Sequence, residues 1–433
     1  MTDFSSYAAR RSRLAASMVR GIAVVQTAPE VARNADTHYP YRHGSHFYYL
    51  TGFEEPEAVV VVVAGERPQS ILFCREKNPE REIWDGFRHG PEAARDKFGF
   101  DAAYPIAQLD EKLVELMGNQ PALYTLLGAD PAWDARMLEL RRRVQEKVRA
   151  GITAPDDVRD VRAVLDDMRL IKDDHELAVM RRAADISAAA HARAMRAARP
   201  GMREYQVEAE LLHEFRRHGA QSPAYPSIVA GGGNACVLHY VNNNAVLNDG
   251  DLLLIDAACE LDGYAADITR TFPVNGKFSA AQRDVYEMVL AAQAAAIGVS
   301  APGRHWNEPH EAALRVIAQG LIDLKLCSGS VDAVLERESY KRYYMHRTGH
   351  WLGMDVHDVG AYKLQGEWRV LAPGMTYTVE PGCYIRRAED VPPALWNIGI
   401  RIEDNVVITA GGCEVLTDAA PKTVTAIEEL MRT

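Results

Sequence analysis

Gly250-Asp-Leu-Leu-Leu-Ile-Asp256-Ala-Ala-Cys-Glu-Leu-Asp262-Gly263-Tyr-Ala-Ala-Asp267-Ile-Thr-Arg-Thr-Phe272 is the stretch whose reading decides the fold of the C-terminal half. Two β-prone runs flank Asp262-Gly263, a pair suited to a two-residue hairpin loop because both positions tolerate positive φ. With that pair as the loop, Asp256 faces Thr269. Side chains alternate between sheet faces, so Asp267 shares a face with Asp256 and lies diagonal to it. Two like charges at such range repel, and burying them in an apolar ribbon costs free energy. A bound cation removes both penalties. Two aspartates on a solvent-facing ribbon are the other reading of the hairpin alone.

Three further segments bear on the choice. His346-Arg-Thr-Gly-His350-Trp-Leu-Gly-Met-Asp-Val-His357-Asp358 sets three histidines among glycines. Pro373-Gly-Met-Thr-Tyr-Thr-Val-Glu380-Pro381-Gly382 ends a strand at a Pro-Gly break. In Gly399-Ile-Arg401-Ile-Glu403-Asp404, isoleucines alternate with Arg401 and Glu403, which puts arginine and glutamate on one strand face.

Taken together, these segments resemble the Xaa-Pro aminopeptidase (aminopeptidase P) branch of the pita-bread metallopeptidases, a family that also holds prolidase, methionine aminopeptidase and creatinase. The family's five metal-ligand positions match Asp256, Asp267, His350, Glu380 and Glu403. The stretch His38-Tyr-Pro-Tyr-Arg-His-Gly-Ser-His-Phe-Tyr-Tyr-Leu-Thr-Gly-Phe53-Glu-Glu-Pro-Glu57 resembles the N-terminal domain of the same branch, which methionine aminopeptidases lack. Trp396-Asn397 departs from the Arg-Gly the family commonly shows before Ile-Gly-Ile-Arg.

The resemblance implies a small N-terminal α/β domain, residues 1–172, followed by a pita-bread catalytic domain with pseudo-twofold symmetry, residues 173–433. It implies hydrolysis of the bond between any N-terminal residue and a penultimate proline. Asp256 and Asp267 then serve one metal ion or bridge, His350 serves a second, and Glu403 bridges. Glu380 binds metal and accepts a proton from water. His239 and His357 match histidines that stabilise the tetrahedral oxyanion, and His346 one that lines the proline pocket. Arg401 matches an arginine turned toward the cluster. Tyr225 and Trp84 are candidates for substrate contact, Trp84 from a neighbouring subunit of a homo-oligomer, dimer or tetramer.

Four carboxylates and one imidazole form a hard, oxygen-rich set that suits Mn²⁺ and tolerates Co²⁺ or Zn²⁺. Two divalent ions balance the four carboxylate charges, so two Mn²⁺ are expected. The rival readings are prolidase, acting on X-Pro dipeptides, and a non-catalytic pita-bread binding protein. The second usually loses ligands, and the five residues also argue against a metal-free creatinase-like enzyme.

Composition fits an ordinary globular protein of two domains. At 433 residues the chain exceeds what one core usually organises, and no apolar run approaches a membrane span. A net charge of -11 argues against general nucleic-acid affinity. Six cysteines without a CxxC pair suit reduced thiols and a cytoplasmic location. The basic N-terminal segment has no apolar run behind it and carries Asp3, so a surface helix is expected there rather than a targeting peptide.

Along the chain, Gly21–Gln26, His46–Leu50, 58–64 and 70–74 read as strands, and 135–150 as a helix with a solvated face. Helices are expected near 173–199, 203–218, 279–298 and 306–325, each pair followed by β-ribbons. Gly231-Gly-Gly233 lacks a following Gly-Lys-Ser/Thr and reads as a turn before a strand carrying His239. Ser222 and Ser227 lie near no evident triad.

Overall fold

The structure, a computed structural model, describes residues 4–432. Asp3 lies outside them. Backbone contacts divide the chain into two compact units, Met1–Met168 and Arg169–Thr433. The sequence expectation set this break at 172/173.

The first unit is built on six strands, β1 (Gly21–Gln26), β2 (Val59–Ala64), β3 (Gln69–Cys74), β4 (Ala102–Pro105), β5 (Ala122–Thr125) and β6 (Asp157–Asp160), in the order β4-β3-β2-β1-β5-β6. The pairs β1–β2 and β2–β3 are antiparallel and the outer pairs parallel. The near-continuous valines of β2 suit a central strand covered on both faces.

Two expectations change here. Residues 46–50 are not a strand but part of helix α2 (Ser45–Thr51), despite the β-propensity of their aromatic residues. Helix α1 (Ser5–Met18) supplies the reason. Arg10 donates to the Tyr49 carbonyl at 3.2 Å and Arg11 to the Leu50 carbonyl at 2.9 Å, so two of the last carbonyls of α2 are satisfied by buried guanidinium groups. The expected surface helix therefore buries two of its arginines. The charge-rich helix α4 is preceded by α3 (Pro79–Asp85) and runs Pro131–Gln145, capped by Asp130. It buries Trp133, Met137, Leu140 and Val144 along one stripe and leaves its arginines on the other face.

The second unit repeats one plan twice. Helices α5 (Asp174–Ala197) and α6 (Glu204–Arg217) precede the first ribbon, and α7 (Ala280–Val299) and α8 (Glu308–Asp323) precede the second. Asp173 and Glu176 form a capping box at the start of α5, as do Ser279 and Gln282 at α7. In the first ribbon β7 (Ile228–Gly231) pairs with β8 (Leu252–Asp256), which pairs with β9 (Thr269–Pro273) in the expected register, Asp256 opposite Thr269. Asp262 and Gly263 form the loop with φ of 48° and 77°, the left-handed values a primed turn requires.

The hairpin is not continuous. It pauses after Asp256 and before Thr269, then resumes as Glu260↔Ala265 and Leu261↔Tyr264 without losing register. The second ribbon copies the pause. Here β10 (Thr376–Val379) pairs with β13 (Asp404–Thr409), and β11 (Gly382–Ile385) with β12 (Ile398–Arg401). Extending either register through the gap sets Glu380 opposite Glu403. All four carboxylates thus sit where a ribbon is interrupted. Asn397 adopts φ 61°, which asparagine tolerates better than most residues.

Residues of both ribbons and all four helices, among them Ala183, Val207, Ile255, Val289, Ile317 and Ile400, share one apolar core. His191 of α5 is fully buried and its Nε2–H donates to the Ala257 carbonyl at 2.8 Å, tying the helix to the hairpin beside Asp256. Burial pushes its pKa down to about 4. The folded protein thus refuses a proton that the unfolded chain takes near pH 6.5, so this contribution is complete above that pH and is lost as pH falls toward 4. It amounts to about 3 kcal/mol. Urea midpoints of wild type and His191→Gln, measured between pH 7 and 4.5, should show a shallower pH dependence in the variant; parallel curves would contradict this assignment.

Candidate metal centre

Each interruption turns two carboxylates toward one cavity of about 470 Å³. Asp256 ends β8, Asp267 lies in the gap before β9, Glu380 follows β10, and Glu403 lies between β12 and β13. His350 enters from the loop beside the Trp351↔Tyr377 bridge. The cavity is lined by all five, together with His239, His346, His357, Arg401 and Tyr225.

The cluster is tight. Ligand atoms of Asp267, His350 and Glu403 lie within 4.8 Å of one another. His350 Nε2 is 3.4 Å from Asp267 Oδ2 and 3.6 Å from Glu380 Oε1. Its Nδ1–H donates to the Trp351 carbonyl at 3.0 Å, which fixes the ring with Nε2 toward the acids. Tyr225 Oη lies 2.7 Å from Asp256 Oδ1 and 2.5 Å from Asp267 Oδ1. A phenol has one proton, so it satisfies one of these carboxylates at a time.

Electrostatics report the same crowding. Burial raises the pKa of Asp256, Glu380 and Glu403; neighbouring carboxylates add to each, and Glu380 reaches about 7. Burial lowers that of His350, but Asp267 and Glu380 outweigh it and hold the group up at about 9. One cation is built in: Arg401 donates to Asp256 Oδ2 at 2.6 Å. A set of four buried or half-buried carboxylates with one arginine and one imidazole is short of positive charge, and its donors are hard oxygens and one imidazole nitrogen. The residues fit divalent metal ions.

Burial holds two of the other histidines, His346 and His357, neutral. His346 Nδ1–H donates to the Arg347 carbonyl at 2.8 Å, while Nε2 accepts from Tyr384 Oη at 2.8 Å; burial pushes its pKa down to about 3. His357 packs edge-on to His350 at 4.3 Å, and burial lowers its pKa also. His239 is exposed at the cavity rim, in a turn rather than the expected strand. The edge of β7 that such a strand needs is taken by Asn243, which accepts from Val229 N–H at 3.0 Å and donates to the Ser227 carbonyl at 2.8 Å.

Trp84 is the candidate that the structure does not bring to the cavity. It lies on α3 of the first unit, 83% exposed beside the exposed Ile83 and Phe87. Residues that the sequence did not single out hold the centre in shape. Asn405 bonds both backbone groups of Asp267, accepting from its N–H at 3.0 Å and donating to its carbonyl at 2.5 Å. Thr269 Oγ1 donates to Glu403 at 2.7 Å and accepts from Arg401 Nε at 3.1 Å. Tyr384 links Arg401 to His346. Only Thr269 carried a signal, as the residue opposite Asp256.

Residues 178–410 match the model of metallopeptidase family M24, and residues 7–124 that of the aminopeptidase P N-terminal domain. The chain belongs to metallopeptidase family M24. Among M24 relatives, it is 44% identical to the Xaa-Pro aminopeptidase of Escherichia coli over 98% of this chain and 96% of that one. The aminopeptidase PepP of Pseudomonas aeruginosa superposes with a TM-score of 0.98 at 52% identity, covering 100% of this chain and 98% of that one. A zinc-substituted E. coli aminopeptidase P in complex with product superposes at 0.97 with 43% identity, over 100% and 98%. The fold is therefore the pita-bread fold of M24 enzymes behind an aminopeptidase P type N-terminal domain, and the chain is a metallo-exopeptidase.

Because the crowded carboxylates repel without metal, divalent ions should stabilise the fold. Saturation at roughly a thousand times the dissociation constant adds about 4 kcal/mol. Melting in EDTA and in excess Mn²⁺ at pH 7.5 should differ by several degrees, and identical curves would contradict the site.

Proposed function

We propose that this chain is a dinuclear Mn²⁺ Xaa-Pro aminopeptidase, which removes the N-terminal residue from peptides whose second residue is proline. The observation that carries the reading is the convergence of Asp256, Asp267, His350, Glu380 and Glu403 on one cavity, in a chain similar over nearly its full length to named Xaa-Pro aminopeptidases. The prolidase alternative is not favoured by those relatives. Catalysis is assigned to residues 173–433. Six free cysteines accord with a cytoplasmic enzyme.

An X-Pro bond is a tertiary amide with no N–H, so a peptidase that must hydrogen-bond that group cannot use it. Bound divalent ions supply Lewis acidity and make water acidic near neutral pH. Glu380 is the proton carrier: a carboxylate oxygen takes the proton of the attacking water and returns it to the departing proline nitrogen. His239 and His357 donate to the scissile carbonyl oxygen as it gains charge. His346, held neutral between Tyr384 and the Arg347 carbonyl, forms part of the proline seat. Arg401 anchors Asp256 and, through Tyr384, the ring of His346. Tyr225 orients the two aspartates, and the substrate amine occupies the acidic end of the cavity. Trp84, exposed on α3, is assigned to substrate contact in a neighbouring copy of a homo-oligomer, dimer or tetramer.

Chelation should abolish cleavage of an X-Pro-Y peptide and Mn²⁺ should restore it. Glu380→Ala should lower kcat by about 10³-fold or more while the protein still melts cooperatively. Full X-Pro-Y activity in chelated enzyme, or in Glu380→Ala, would refute the mechanism.

A further inference from the structure

The cavity over the metal site is lined by two guanidinium groups, Arg401 and Arg347. The first is committed, since it is buried and 2.6 Å from Asp256. Arg347 has no carboxylate at ion-pair distance among the described residues. Its Nη2 donates to the neutral side-chain oxygen of Asn307, and its guanidinium stands 4.9 Å from the Trp368 ring centroid. Lys363 lies over the same ring, its Nζ 4.3 Å from the centroid. Trp368 thus gathers two cations, one of them at the cavity wall.

The four acids that line the cavity all belong to the metal cluster. The cavity is therefore polarised, with the acids at one end and a planar cation without a carboxylate partner among the described residues elsewhere on its wall. A short peptide carries the complementary pattern, an amine at one end and a carboxylate at the other. Arg347 directly follows His346, and it is exposed where His346 is half-buried. A proline seated at His346 leaves the next residue of the substrate on the outward side, toward Arg347.

We propose that Arg347 is a specificity determinant that binds the free α-carboxylate of X-Pro-Y tripeptides, so that the enzyme favours short peptides with a free C-terminus over amides and longer chains. The inference rests on the aminopeptidase reading above. Guanidinium and carboxylate can form two parallel hydrogen bonds, and Arg347 is already steadied by Asn307 and Trp368, which lowers the entropy lost on binding. The interaction is made in the bound substrate and in the transition state alike, so it acts on KM and leaves kcat largely alone.

The test uses full-length, Mn²⁺-loaded enzyme with Ala-Pro-Ala and Ala-Pro-Ala-amide as paired substrates. Arg347→Met should raise KM for the free acid roughly tenfold and for the amide less than about twofold, with kcat changed little for either. Arg347→Lys should regain part of the loss. Salt should raise the wild-type KM for the acid more than for the amide. Equal shifts on both substrates, or none on either, would overturn the proposal, the first because a purely structural role moves both. Arg347→Gln, which can still donate to Asn307, provides the same comparison if Arg347→Met does not fold. A wild-type enzyme that cleaves neither peptide sinks the aminopeptidase reading and the clamp together, whereas one that cleaves both without discriminating through Arg347 sinks the clamp alone.

Discussion

The mutual repulsion of four carboxylates, two buried and two half-buried, is the constraint around which the C-terminal unit is arranged. Left to themselves, Asp256, Asp267, Glu380 and Glu403 would be driven apart or protonated, and the raised pKa values of Glu380 and Glu403 express that tendency. The fold opposes it with fixed partners. Arg401 neutralises part of Asp256, Thr269 donates to Glu403, and Asn405 locks the backbone of Asp267. None of these removes the charge deficit, so the cluster stays poised for divalent cations. Binding strength and structural stability are therefore linked in this unit, because the geometry that receives metal is the geometry that metal relieves.

Duplication is how the chain brings the acids together. Each ribbon keeps its register across a short interruption, and each interruption releases two carboxylates toward the same cavity. Behind them Asp404 is ion-paired with two cations, Arg270 and Lys422. Arg270 and Asp404, neither exposed, lie 2.7 Å apart, and Arg270 also donates to the Glu403 carbonyl. Asp404 is thus the acid turned away from the cavity and matched with a cation, while Glu403, its neighbour, is turned inward. At the junction of the gap and β13, adjacent residues thus separate an ion-paired structural carboxylate from one that faces the cavity.

How much of this was legible in the sequence depends on the range of the contact. The first ribbon could be read because Asp262-Gly263 fixes its register locally, so the diagonal placement of Asp256 and Asp267 followed from pleat geometry alone. In the second ribbon a loop of a dozen residues joins the strands, and no turn signal sets Glu380 opposite Glu403; the resemblance to a family supplied what local rules could not. Asn405 and Tyr384 were invisible because their roles exist only after distant segments meet. The same holds for the misread segments. Residues 46–50 carry aromatic residues that favour a strand, yet Arg10 and Arg11 complete a helix there from almost forty residues away. His239 lies in an alternating stretch, yet Asn243 occupies the strand edge it needed. Local pattern was overruled by side chains that satisfy backbone groups from outside the segment.

The most direct measurement is diffraction from crystals grown with Mn²⁺, with anomalous data collected at the manganese edge. The account predicts two peaks about 3.5 Å apart, held between Asp256, Asp267, His350, Glu380 and Glu403. An absence of anomalous signal there, or a single ion bound away from these side chains, would contradict it.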